Sequence, residues 1–143
     1  METAQLKGFN VRIYGLCILN NKLLSLNELF AGKVVTKLPG GGLELGEGTV
    51  ACLKREFKEE LNVEIEINTP FYIQESFTTS LANDQKQILM LYFTVTILDM
   101  ENLKIQDQAI LGINWIELTD HNPFTLPIDR LVFEKLQKQN CKN

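Results

Sequence analysis

Apolar and polar positions alternate from Phe9 and then close into an unbroken apolar run over residues 15–19, the pattern of a strand entering a core. Asn20-Asn21 follows as a hairpin signal, and residues 22–29 predict the return strand. Residues 33–38 form a β-branched run that ends at Pro39. The period then changes. Val50, Leu53, Phe57 and Leu61 fall on one stripe at helical spacing, which predicts a helix over about residues 48–61. Gly48 or Thr49 fits its N-cap, and Asn62 fits a left-handed end. Residues 63–67 and 71–79 predict strand, broken near Pro70, and Asn83-Asp84 predicts a turn. Residues 87–98 form the most apolar strand, expected at the centre of the sheet. A polar loop over residues 99–109 leads to a strand at 113–118 around the only tryptophan, Trp115. Residues 127–139 predict an amphipathic helix with Pro127 in its first turn and Leu131, Phe133 and Leu136 apolar. The tail, residues 140–143, is expected to fray. The fold class expected is α/β, one domain with a mixed β-sheet between helices.

A length of 143 residues supports one domain with a proper core. Apolar residues make up 45% and charged residues 22%, the balance of a globular protein. Net charge is −4, with no basic stripe of the kind that tracks a nucleic-acid backbone, so a nucleic-acid polymer is not an expected partner. The apolar run at 15–19 is too short to span a membrane, and no signal peptide is read, so no membrane partner is expected. Cys17, Cys52 and Cys141 make an odd count without a C-x-x-C pair; free thiols in a reducing cytoplasm are the simplest reading.

One stretch changes this bland picture. Glu56, Glu59 and Glu60 lie within about 100° on a helical wheel, beside the apolar stripe rather than on it. Three carboxylates on one patch repel each other, a cost most readily tolerated where a divalent cation neutralises them. Taken alone, such a patch also fits a solvated acidic face. Pro39-Gly40-Gly41-Gly42 cannot be regular helix or central strand, and its glycines allow backbone to approach phosphate or metal closely. Cys52, one turn before Glu56, reads as a small packing residue, since a hard cation prefers oxygen.

Gly41, five residues, Glu47, seven residues, then Arg55-Glu56-Phe57-Lys58-Glu59-Glu60-Leu61-Asn62-Val63 resembles the Nudix box, G-x5-E-x7-R-E-U-x-E-E-x-G-U with U apolar. Only the final Gly departs: Asn62 stands there, the next-best residue for a left-handed helix end. The resemblance implies an α/β/α sandwich and a hydrolase of a nucleoside diphosphate linked to another moiety. It implies that Glu56, Glu59 and Glu60 bind Mg²⁺, or Mn²⁺ in its place, with the Gly40 carbonyl as a further ligand. Arg55 would orient the glutamates and Glu47 would partner Arg55, with Glu59 the candidate base. An extra acid is common before the Trp-containing strand; Ala109 occupies that slot here, and Asp107, the nearest acid, is a further candidate for contact with the substrate.

Arg12 and Lys37 are candidates for contact with the substrate's phosphates and also fit as ordinary strand-edge charges. His121 reads as a surface residue and Trp115 as core. The partners expected are a small-molecule nucleotide derivative and, for assembly, a second copy in a homodimer. Within the family, a proline past the box marks many ADP-ribose hydrolases and a tyrosine marks dinucleoside polyphosphate hydrolases. Neither occurs over residues 77–82, which favours a nucleoside triphosphate or nucleotide sugar. The rivals are a non-catalytic nucleotide-sensing domain of the same fold, disfavoured by the complete glutamate set, and an isoprenoid diphosphate isomerase, which needs a longer chain.

Overall fold

The computed structural model describes residues 5–80 and 84–141. Two sheets and two long helices build it. Strands β1 (Phe9–Leu16), β5 (Gly40–Gly42), β6 (Ile65–Ile73) and β7 (Gln87–Ile97) form a mixed sheet in the order β5-β1-β7-β6. β1 and β7 run parallel at its centre, and both outer strands pair antiparallel. Strands β2 (Ile18–Leu19), β3 (Lys22–Phe30), β4 (Lys33–Lys37) and β8 (Ile110–Glu117) form a second, antiparallel sheet around β3.

The apolar run that the sequence presents as one strand is therefore two. The chain leaves the mixed sheet after Leu16 and enters the antiparallel one at Ile18, with Cys17 buried between them. The Asn20-Asn21 turn follows as expected, with φ of 53° and 65°, the left-handed pair that a two-residue hairpin needs.

Helix α1 (Thr49–Leu61) packs on one face and α2 (Pro127–Cys141) on the other, and strand alternation assigns the side chains between them. Ile13 of β1 and Val95 of β7 pack with Leu53, Phe57 and Leu61 of α1. Tyr14, Leu16, Met90 and Tyr92 pack with Ile128, Val132, Phe133 and Leu136 of α2. Gly15 is required by this layering: a Cβ there would lie 2.5 Å from the Phe57 ring. The mixed sheet between helices agrees with the expected fold class.

Other local expectations change: the strand expected over residues 71–79 ends at Ile73, and the one expected over 113–118 begins at Ile110. Pro70 does not break β6, which runs through it with register shifts on either side; β6 is an edge strand, where a missing N–H is tolerated. Val50 lies outside the apolar stripe, 47% exposed, and Cys52 takes its place in the core. Helix α2 extends to Cys141, so residues 140 and 141 are helical rather than frayed; residues 142 and 143 lie outside the described residues. Asn83 of the expected turn also lies outside them.

Candidate active site

The glycine run is an edge strand. β5 pairs with β1 in the register Tyr14 opposite Gly40 and Ile13 opposite Gly41. Gly15 N–H donates to the Pro39 carbonyl at 2.9 Å, which makes Tyr14–Gly40 a pair without direct hydrogen bonds and turns the Gly40 backbone away from β1. Its N–H donates instead to Glu60 Oε1 at 2.9 Å. Gly40 has φ of 142°, and a Cβ there would collide with the Ile13 carbonyl and approach Tyr14 Cα to 2.8 Å. A Cβ on Gly41 would lie 2.6 Å from the Glu56 carboxyl. The glycines thus let α1 press its acidic face against backbone.

Helix α1 presents that face because of how it starts and stops. Gly48 is its N-cap and Asn62 adopts the left-handed conformation, φ 61°, with its N–H donating to Lys58. Leu53, Phe57 and Leu61 anchor the helix in the core, so Glu56, Glu59 and Glu60 point along the adjoining arc toward β5. Burial grades them. Glu60 is 5% exposed, the Glu56 side chain 15% and the Glu59 side chain 60%.

Arg55 ties the patch together. Its Nε and Nη2 donate to both oxygens of Glu47 at 3.1 and 2.7 Å, a bidentate pair. Nη1 donates to Glu56 at 2.8 Å and to Glu59 at 3.3 Å, and Nη2 also reaches the Gly42 carbonyl at 3.0 Å. Arg55 hydrogen bonds lower the Glu47 carboxyl to about 2, and Glu47 in turn raises Arg55. Burial pushes Glu60 up to about 8, against the attraction of Lys37 and the Gly40 N–H. Glu56 is raised by burial, with Arg55 opposing. Two carboxylates are thus held where water solvates them poorly.

Among the described residues, no three acidic, His or Cys side chains are already gathered into a coordination shell. Arg55 holds Glu56 and Glu59, while Glu60 is turned to the Gly40 N–H. The donor set still suits a hard cation: three carboxylates, two of them poorly solvated, beside a glycine strand whose missing Cβ atoms leave room. Cys52 is fully buried, its thiol 3.6 Å from the Gly42 carbonyl and pushed up to about 12 by burial, which fits packing and not a thiolate ligand.

A cleft of about 320 Å³ opens beside this patch. β1 contributes Arg12 and Tyr14, β4 Lys37, β3 Phe30 and Glu28, and the first turn of α2 Asp129. Both expected phosphate contacts, Arg12 and Lys37, are in its wall, and their charges interact with Glu56 and Glu60 respectively. Lys37 is already paired with Glu28 at 2.8 Å. Sequence reasoning missed Asp129 and Tyr92. Tyr92 donates to Asp129 Oδ1 at 2.5 Å, and burial raises the Asp129 carboxyl to about 6. An acid in a first helical turn reads as a dipole partner, so its sequence position concealed its burial.

Asp107 is not brought to the patch by any hydrogen bond among the described residues. Its carboxylate accepts from Ala109 N–H at 2.9 Å and caps its own turn. Its neighbour Gln106 donates through its backbone N–H to the Glu60 carbonyl, so the loop abuts the end of α1. Trp115 packs in the α1-side core, and His121 is exposed. A second concavity, of about 470 Å³ between Val50, Lys54 and β6, contains none of the expected site residues.

The NUDIX domain profile matches residues 10–136. The E. coli ORF135 protein has a similar solved structure, with a TM-score of 0.77, 14% identity and coverage of 98% of this chain and 96% of that one. The MutT NUDIX hydrolase of Burkholderia pseudomallei gives a TM-score of 0.76 at 18% identity, covering 91% and 99%. The E. coli dihydroneopterin triphosphate pyrophosphohydrolase gives 0.73 at 14% identity, covering 93% and 99%. No curated protein matches the chain. At these identities the solved structures speak for the fold, while the profile spans most of the chain and coincides with the Arg55-centred patch. The chain belongs to the NUDIX domain family.

Proposed function

We propose that this protein is a hydrolase that cleaves the pyrophosphate linkage of a nucleoside triphosphate in a Mg²⁺-dependent reaction. The observation that carries the reading is the adjacency of the tri-glutamate patch and the cleft, with Arg12 and Lys37 in the wall between them. A cleft of about 320 Å³ is at the small end for ligand pockets, so it favours one nucleoside over a substrate with a second bulky moiety. One structural relative, the dihydroneopterin triphosphate pyrophosphohydrolase, is named for a triphosphate of that single-headed kind.

Glu56, Glu59 and Glu60 would hold the cation, with the Gly40 carbonyl as a further ligand. When bound, a divalent ion offsets the charge of the pyrophosphate and acidifies water. The chain supplies the rest. Arg55 orients Glu56 and Glu59 through Nη1 and is itself fixed by the two oxygens of Glu47. Glu59, the most exposed of the three, has the freedom to accept a proton from attacking water. Glu56 and Glu60 are too enclosed for that role and would serve as fixed ligands of the cation. Arg12 in the cleft wall stabilises charge on the phosphates.

The test is a panel of nucleoside triphosphates, nucleotide sugars and dinucleoside polyphosphates with Mg²⁺, followed by phosphate and pyrophosphate release. Preferred turnover of a triphosphate supports the reading. Turnover only of nucleotide sugars overturns the substrate, and tight binding of nucleotides with no turnover supports a sensor.

A further inference from the structure

The two cations of the cleft differ in what holds them. Lys37 is neutralised by Glu28 at 2.8 Å, with both side chains less than a fifth exposed. Arg12 makes no ion pair within 4.0 Å among the described residues. Its one side-chain hydrogen bond there runs from Nε to the Tyr14 hydroxyl, at 2.6 Å. No fully buried side-chain nitrogen or oxygen among the described residues lacks a partner, so the unpaired terminal nitrogens of Arg12 are open to the cleft. Nη1 lies on the β5 side, 3.6 Å from where a Cβ of Gly42 would stand. The end-on fork of the guanidinium is thus free, next to the strand that carries the glycine backbone of the metal patch.

Tyr14 is unusually well fixed for a residue that touches a cleft. It is 5% exposed, and its ring stacks on Tyr92 with centroids 5.5 Å apart. Tyr92 is anchored in turn through its hydroxyl to Asp129 in the first turn of α2. On its other side Tyr14 abuts Gly40, whose Cβ would lie 2.8 Å from Tyr14 Cδ1. The phenol oxygen therefore has little freedom, and as a neutral acceptor it fixes Nε without neutralising the guanidinium. A carboxylate there would cancel the charge that a phosphate needs.

We propose that Tyr14 is a positioning residue that holds Arg12 by Nε, so that its Nη1–Nη2 fork meets non-bridging oxygens of the substrate's phosphate chain. Such fork recognition suits the planar arginine and not a lysine. The proposal deepens the reading of the cleft as the nucleotide site and rests on it. Without the Tyr14 hydroxyl, the guanidinium turns toward Glu28 or Glu56, the two carboxylates whose charge it feels.

The variant Tyr14→Phe keeps the ring, its stack and its burial, and removes only the acceptor. Binding of α,β-methylene nucleoside triphosphates in Mg²⁺ is measured by calorimetry on wild type, Tyr14→Phe, Arg12→Met and the double variant, with thermal melts as a folding control. Tyr14→Phe is expected to weaken binding about tenfold, the size of one lost contact to an anion. In the Arg12→Met background the same change should have no further effect. In turnover assays the loss should appear in KM, with kcat within about twofold, because the contact is made before and during reaction alike. Wild-type affinity in Tyr14→Phe overturns the proposal. So does an equal loss with and without Arg12, which is the signature of a merely structural role, and so does failure of wild type to bind any analogue. Binding that behaves as expected without turnover of the natural triphosphates sinks the hydrolase reading and leaves the positioning role standing.

Discussion

Glu60 is a residue that the metal-free fold would be more stable without. Its carboxyl is 5% exposed, held by one backbone N–H, and burial raises it to about 8 from an ordinary 4.5. A carboxyl raised on folding favours the fold fully only below the unfolded value and loses that contribution as pH climbs toward the folded one. At pH 7 the span already crossed is about 2.5 pH units, or roughly 3 kcal/mol. Glu60→Gln removes the titration and retains an oxygen for the Gly40 N–H. In EDTA at pH 7 the variant should therefore be more stable than wild type by about 3 kcal/mol, a rise in Tm of roughly 10 °C for a domain of this size. Mg²⁺ should nearly close that gap. At a hundredfold excess over its dissociation constant, a cation that binds only the native state adds about 2.7 kcal/mol to wild type. The variant should gain little. Urea melts in EDTA and in Mg²⁺, from pH 5 to 9, read both effects. A Glu60→Gln protein no more stable than wild type in EDTA, or equally stabilised by Mg²⁺, refutes the reasoning.

Other expectations follow from the same geometry. Glu59→Gln, at an exposed position, should leave urea stability within about 0.5 kcal/mol of wild type and lower kcat at least a hundredfold in steady-state assays. Asp129, raised by burial to about 6 from 3.8, should contribute a loss of stability of about 2 kcal/mol as pH rises from 4 to 6, and Asp129→Asn should abolish that share of the slope in pH-dependent melts. Asp107→Asn, whose side chain closes its own turn, should leave kcat within about twofold of wild type in the same kinetic assay.

The parts of this molecule that could be read from sequence are those in which local chemistry decides. The α1 stripe of Leu53, Phe57 and Leu61 is periodic, and Asn62 ends it because its short polar side chain tolerates φ of 61°. Asn20-Asn21 specifies its hairpin for the same reason. The spacing of Gly41, Glu47, Arg55 and the glutamates identifies the patch, since α1 brings them together by its own geometry and one short strand. What could not be read depends on remote neighbours. An apolar run through Cys17 looks the same whether it stays in one sheet or crosses between two. Pro70 was legible as a disruption, but only its place on an edge strand shows that β6 tolerates it. Lys37 and Arg12 look alike along the chain. Glu28, brought beside Lys37 by the β3–β4 hairpin, neutralises one, and the Tyr14 phenol leaves the other charged. The bond from the buried Tyr92 to Asp129, which lines the cleft, joins residues 37 positions apart.

The central claim is that the glutamates of α1 hold the cation that drives cleavage. Phosphorus NMR on the best nucleoside triphosphate from the panel, with wild type and with the Glu56→Gln/Glu60→Gln double variant across a Mg²⁺ titration, tests it most directly. The account predicts a nucleoside monophosphate and pyrophosphate from wild type, saturating in Mg²⁺ and absent in EDTA, and no turnover by the double variant at any Mg²⁺ concentration. Equal turnover by the double variant, or wild-type turnover undiminished in EDTA, would contradict it.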